Sequence, residues 1–112
     1  MTDLDKLKLM TAWDTEPTLS ETELGELLAA ESLSDAAGLS PEEESWEPTY
    51  DLNAAAAAGW LIKAGKASAM VEVDPPGSGI YTSQVFANCM QMRRRYETRR
   101  NSTVRLPVPA FL

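Results

Sequence analysis

Histidine is absent from the 112 residues, cysteine occurs once, and aromatic side chains make up only 7% of the chain. Without histidine the usual ligand set of a zinc site is missing, and the single Cys89 rules out an intramolecular disulfide framework. That usage points to a reducing, intracellular compartment. The N-terminus has no positive region followed by an apolar core, so no secretory signal is expected. The one long weakly apolar window, Leu52 to Val71, is mostly alanine and contains Lys63 and Lys66, which argues against a membrane span. Few large side chains leave a shallow core for a chain of one domain's length, and burial supplied by partner subunits would deepen it.

Catalytic constellations are missing too. No nucleophile stands with a base, and no carboxylates are paired at persuasive spacing. Glu42, Glu43 and Glu44 form a solvated run, while the "PPGSG" stretch lacks the Lys-Thr and strand-to-helix setting of a phosphate loop. Cys89, on an apolar helix face with nothing to activate it, reads as a small core residue. Neither an enzyme nor a bound cofactor or metal is expected.

What the chain has is an uneven charge. The net charge of −7 conceals fourteen acids against two lysines in residues 1 to 51, and three acids against eight basic residues in 52 to 112. Such a dipole suits head-to-tail association or a basic end meeting an acidic partner.

Hydrophobic spacing predicts an all-α fold: a small helical bundle with a long central alanine-rich helix, long loops and an extended C-terminal tail. Helices are expected at about 4–12, 21–32, 51–72 and 83–100. The second begins at a capping box, Ser20 with Glu23, with Leu19 and Leu24 as a hydrophobic staple. Residues 34 to 49 form a long acidic loop rich in turn residues, anchored by Trp46. Asp51 caps the central helix. Residues 71 to 81 read as a loop or a short β-hairpin, because Val71 and Val73 alternate with charged residues before a Pro-Gly turn. Thr82 or Ser83 then caps the last helix, whose Val85, Phe86, Cys89, Met92 and Tyr96 share a face.

The central helix is apolar nearly all round, and a helix of that kind is buried on more than one side. Gly59 and Gly65 each cost ~1 kcal/mol relative to alanine, which close backbone approach would explain. The expectation is therefore packing by its own chain on one side and by a neighbouring subunit on the other. Ala55, Gly59, Ile62 and Lys66, together with Trp46 of the acidic loop, are the candidate subunit-interface residues. Arg93, Arg94, Arg95, Arg99 and Arg100 make a basic surface at the end of the last helix, suited to an acidic protein partner or to passing DNA. The tail, 103–112, carries two prolines that forbid a helix and is available for strand addition or pocket insertion. The helical domain covers 1–102.

In order, "LSETEL", "YDLNAAAAAGWLIKAGKAS" and "TSQVFANCMQMRRRY" resemble the small head-to-tail adaptor proteins, also called head completion or connector proteins, of long-tailed bacteriophages. The similarity spans about residues 4 to 97. It implies a non-enzymatic virion protein, made in the host cytoplasm and placed in the neck. Its copies, twelve by the resemblance alone, form a homo-oligomeric ring beneath the portal protein, joined on to the next neck or tail component, a stopper or tail terminator. Genomic DNA passes through the lumen. On this reading Val104, Arg105, Leu106, Val108, Phe111 and Leu112 of the tail dock on the portal. A second reading is a small helical nucleic-acid-binding or regulatory protein using the arginine cluster, and a third is an assembly chaperone absent from the finished particle.

Overall fold

The computed structural model describes residues 1–73 and 79–100. Four helices account for most of them: α1 (Asp3–Thr11), α2 (Glu21–Ala30), α3 (Leu52–Val73) and α4 (Gly79–Glu97). The fold is all-α. Among the described residues the sole β-type pairing is an isolated bridge between Ser32 and Tyr50.

Both short helices start at reciprocal caps. Ser20 Oγ accepts from the Glu23 amide at 3.0 Å, and the Glu23 carboxylate accepts from the Ser20 amide at 2.8 Å. Each bond satisfies an amide that the first helical turn leaves orphaned. Thr2 and Asp5 repeat the arrangement at the start of α1. Leu19 and Leu24 are both buried, as a staple requires. Asp51 caps α3 by accepting from the Ala54 amide at 3.0 Å.

Two boundaries differ from expectation. The segment 71–81, read as a loop or a short hairpin, is helical on both flanks: α3 runs to Val73 and α4 starts at Gly79. Alternation of valines with charge is a weak strand signal beside an alanine-rich helix, because extending a helix already nucleated adds a hydrogen bond per residue fixed. For the same reason Thr82 and Ser83 lie inside α4 instead of capping it. Residues 74–78 lie outside the described set.

α3 is the axis of the bundle. It packs against α4 along most of its length and against α1 and α2 on other faces. The two long helices run antiparallel: Asn53 Nδ2, near the start of α3, donates to the carbonyl of Arg99 at 3.3 Å, past the end of α4. The core joins Leu7 of α1, Leu19, Leu24 and Leu28 around α2, and Ala55 and Ala56 of α3, with Leu4, Met10, Trp13, Leu27, Tyr50, Leu52, Ile62 and Tyr96 against it. Alanine on α3 is what lets leucines of α1 and α2 come this close to the axis.

That packing corrects part of the interface expectation. Ala55 is fully buried within its own bundle. A Cβ added at Gly59 would stand 2.9 Å from Thr11 Cγ2, 3.4 Å from Leu19 Cδ1 and 3.5 Å from Leu27 Cδ1. The close approach inferred at Gly59 exists, but its partners are α1, α2 and the segment between them, not another subunit.

Candidate interaction surfaces

A buried lysine ties α1 to α3. Lys63 is 1% exposed, and its ammonium donates to the carbonyls of Thr11 (2.8 Å) and Ala12 (2.6 Å). These carbonyls belong to the C-terminal end of α1, where the helix dipole favours a cation. Ala12 takes up a left-handed conformation, φ 47°, which is unusual for a residue with a Cβ. The Trp60 ring lies 4.4 Å from the ammonium, and the Trp60 indole donates to Met10 O at 3.0 Å. Burial pushes the Lys63 pKa down, against the upward pull of Cys89, Asp14 and Glu16. Cys89 on α4 is 2% exposed, and burial pushes its thiol up despite nearby Lys63. A buried thiol held neutral is a poor nucleophile.

The acidic loop between α2 and α3 is ordered around a residue that sequence patterning did not single out. Asp35 Oδ1 accepts from the amides of Ala37 and Leu39, and Oδ2 from that of Glu47, each at 2.9 Å. Its carboxyl is held below the ordinary range by backbone hydrogen bonds, that of Glu47 foremost and Leu39 next. Gly38 sits at φ 82°, a turn geometry that glycine adopts without strain. Trp46 is the expected anchor: its indole donates to Leu33 O at 2.9 Å, and its ring meets Tyr50 edge-on at 5.8 Å. The indole is therefore occupied within its own chain. So is Lys66, which donates to Thr18 O (2.8 Å) and to the Glu23 carboxylate (2.9 Å).

What α1, α2 and α4 leave uncovered on α3 is a stripe. Leu61 is 46% exposed, Gly65, Ser68 and Ala69 are exposed, and Ala58 and Ile62 are half-buried. These positions recur at helical spacing on one side of α3. Beside the stripe runs a groove of about 240 Å³ lined by Glu23, Glu26, Leu27 and Ala30 of α2 and Ile62 of α3. It falls below the ~300–1,000 Å³ of sites that enclose a small molecule, and its size suits a few side chains of a docked peptide. Of the five candidate interface residues, only Ile62 lies on this open side without a polar tether of its own.

The basic cluster divides. Arg94, Arg95 and Arg99 are exposed, and Arg93 is half-buried. Arg100 is engaged: it pairs with Glu97 at 2.8 Å and reaches Glu31, just past α2, at 3.6 Å. The Glu97 hydrogen bond is the main reason its pKa is raised. The tail residues expected to dock, Val104, Arg105, Leu106, Val108, Phe111 and Leu112, lie outside the described residues. Among the described residues no helix is long and apolar enough to cross a membrane. Comparison with protein-family models, with curated proteins and with solved structures finds no match for this chain.

Proposed function

We propose that the chain is a subunit of a ring-shaped virion adaptor that docks on the portal of a long-tailed bacteriophage and joins the DNA-filled head to the next neck or tail component. The observation that carries the reading is the open stripe on α3. A leucine nearly half exposed stands among Gly65, Ala69 and Ala58, which let a neighbouring backbone come close. A ring subunit needs flank-to-flank contact of this kind, and exposed contiguous apolar surface marks association sites. The sequence resemblance supplies the identity of the assembly and its twelve copies. The interface is centred on Leu61, Ile62, Gly65 and Ala69, replacing the buried Ala55 and Gly59.

Charge fits the same picture. The acid-rich N-terminal half and the exposed Arg94, Arg95 and Arg99 give each subunit surfaces of opposite charge, so neighbours or successive layers attract. The tail, through Val104, Arg105, Leu106, Val108, Phe111 and Leu112, engages the portal.

The test is native mass spectrometry of the purified protein alone and mixed with the portal protein of the same phage. Monomer alone and a ring on the portal support the adaptor. A protein that stays monomeric with the portal but binds duplex DNA in a strongly salt-dependent way would instead be a nucleic-acid-binding protein working through its arginines. Ring formation together with absence from purified virions would make it an assembly chaperone.

A further inference from the structure

We propose that the groove between α2 and α3 is the docking site of the chain's own C-terminal segment, residues 101 to 112, in the free protein. The proposal does not depend on the adaptor reading, since it concerns one chain in solution.

Three observations converge on this occupant. The first is position. Arg100, the last described residue, is paired with Glu31, which directly follows the groove-lining Ala30. The tail therefore begins beside the end of α2 that closes the groove. The second is reach. Twelve residues extend to at most ~40 Å, whereas the groove follows α2 from Ala30 back to Glu23, about 10 Å at ~1.5 Å per residue. Residues 104 to 108 span ~13 Å when extended, about the length of the groove, and the residues before them are enough for the approach. The third is chemistry. Leu27, Ile62 and Ala30 form an apolar floor and Glu23 and Glu26 an acidic rim. The tail offers Val104, Leu106 and Val108 at every second position, with Arg105 between them. In an extended segment alternate side chains share a face, so the apolar three enter the groove while Arg105 points away from the floor, towards the rim. Glu23 is already committed to Ser20 and Lys66, which leaves Glu26 as the acid for Arg105.

The tether decides between the chain's own tail and that of another copy. A short covalent link holds its segment at an effective concentration of order millimolar, far above the concentration of free chains in a dilute solution. The groove is thus covered from within. The tail would have to leave it before the groove's apolar floor could pack against anything else.

The test uses the full-length protein with methyl-labelled leucine and isoleucine. Leu106→Asp should move the methyl resonances of Leu27 and Ile62, leave those of Leu7, which is buried on α1 and does not line the groove, in place, and preserve helical content by circular dichroism. Arg105→Glu should move the same two residues, and adding Glu26→Arg should return them towards their original positions. The shifts should be unchanged over a roughly tenfold dilution, as an intramolecular contact requires. Leu27 and Ile62 methyls that ignore both tail substitutions would overturn the proposal. So would shifts that vanish on dilution, because the occupant would then be a second copy.

Discussion

Gly59 and Gly65 lie six residues apart in one helix, and the same substitution should act on them in opposite directions. Alanine gains ~1 kcal/mol over glycine inside a helix at either position. At Gly65 the new methyl meets nothing within 4 Å, so the gain is kept. For a domain of this size ~1 kcal/mol raises Tm by about 4–8 °C. At Gly59 the methyl would come within 2.9 Å of Thr11 Cγ2. Thr11 has little freedom to yield: it is fully buried, its hydroxyl donates to Leu7 O at 2.8 Å, and its carbonyl accepts from Lys63. Overpacking of a well-filled site costs ~1–3 kcal/mol, which equals or exceeds the helical gain. Gly59→Ala should therefore melt at or below the parent temperature and Gly65→Ala above it, a separation of about 1–3 kcal/mol. Thermal unfolding followed by circular dichroism reads both. Equal stabilisation by the two variants would refute the packing of α1 against α3 described above. Gly65→Leu extends the test to assembly: it should leave the monomer folded and block ring formation on the portal.

Ser20→Ala should lower stability by ~1 kcal/mol, because it frees the Glu23 amide from its cap; unchanged melting would mean that the capping box contributes nothing. Lys63→Met keeps the aliphatic stem but leaves the carbonyls of Thr11 and Ala12 without their donor, at ~1–3 kcal/mol, with hydrogen exchange in α1 speeding up most. The folded pKa of Lys63 is depressed, so the unfolded chain holds more protons and this group's contribution rises with pH up to its ordinary 10.5. The raised pKa of Cys89 works the other way, with stability lost above its ordinary 9.0. Cys89→Ala should therefore remove an alkaline loss of stability that titration melts show in the parent. Asp35 has a folded pKa below its ordinary 3.8, so what it contributes is present above that value and lost as pH falls through the lower one. The indole N–H resonance of Trp46 should move in that acid window, and Asp35→Ala should move it at neutral pH; an indole signal indifferent to both would remove Asp35 as the organiser of the loop.

Local signals in the sequence located the helices well. Ser20 with Glu23, and Asp51 before an alanine run, are short-range devices whose partners lie within a few residues, so spacing alone exposes them. What spacing could not reveal is which face of α3 each neighbour takes. Its faces are almost equally apolar, and only the arrival of α1 and α2 distinguishes Ala55 and Gly59, which are covered, from Leu61, Gly65 and Ala69, which stay open. Lys63 was invisible for a related reason: its acceptors are 51 and 52 residues away, and a lysine within an alanine helix reads as solvated until the end of α1 is laid over it. Asp35 was hidden inside a run of turn residues, where any of several acids has the composition for its role.

The loop that Asp35 organises is closed at its base as well. The Leu33 amide donates to Thr49 O at 2.8 Å, and the Asp51 amide to Glu31 O at 2.9 Å. The end of α2 and the start of α3 are thereby clamped together by main-chain bonds, whatever the chain does between them. Glu42, Glu43 and Glu44 stand exposed at the far side of this clasp. Lengthening a loop whose ends are already fixed adds only a slowly growing closure entropy, each doubling costing ~0.6 kcal/mol. The acidic tip is consequently the place to splice in an epitope or a fluorophore-binding peptide. A reporter inserted there would ride on the molecule without prising the bundle apart, and would leave the α3 stripe, the groove and the arginine end free for whatever they bind.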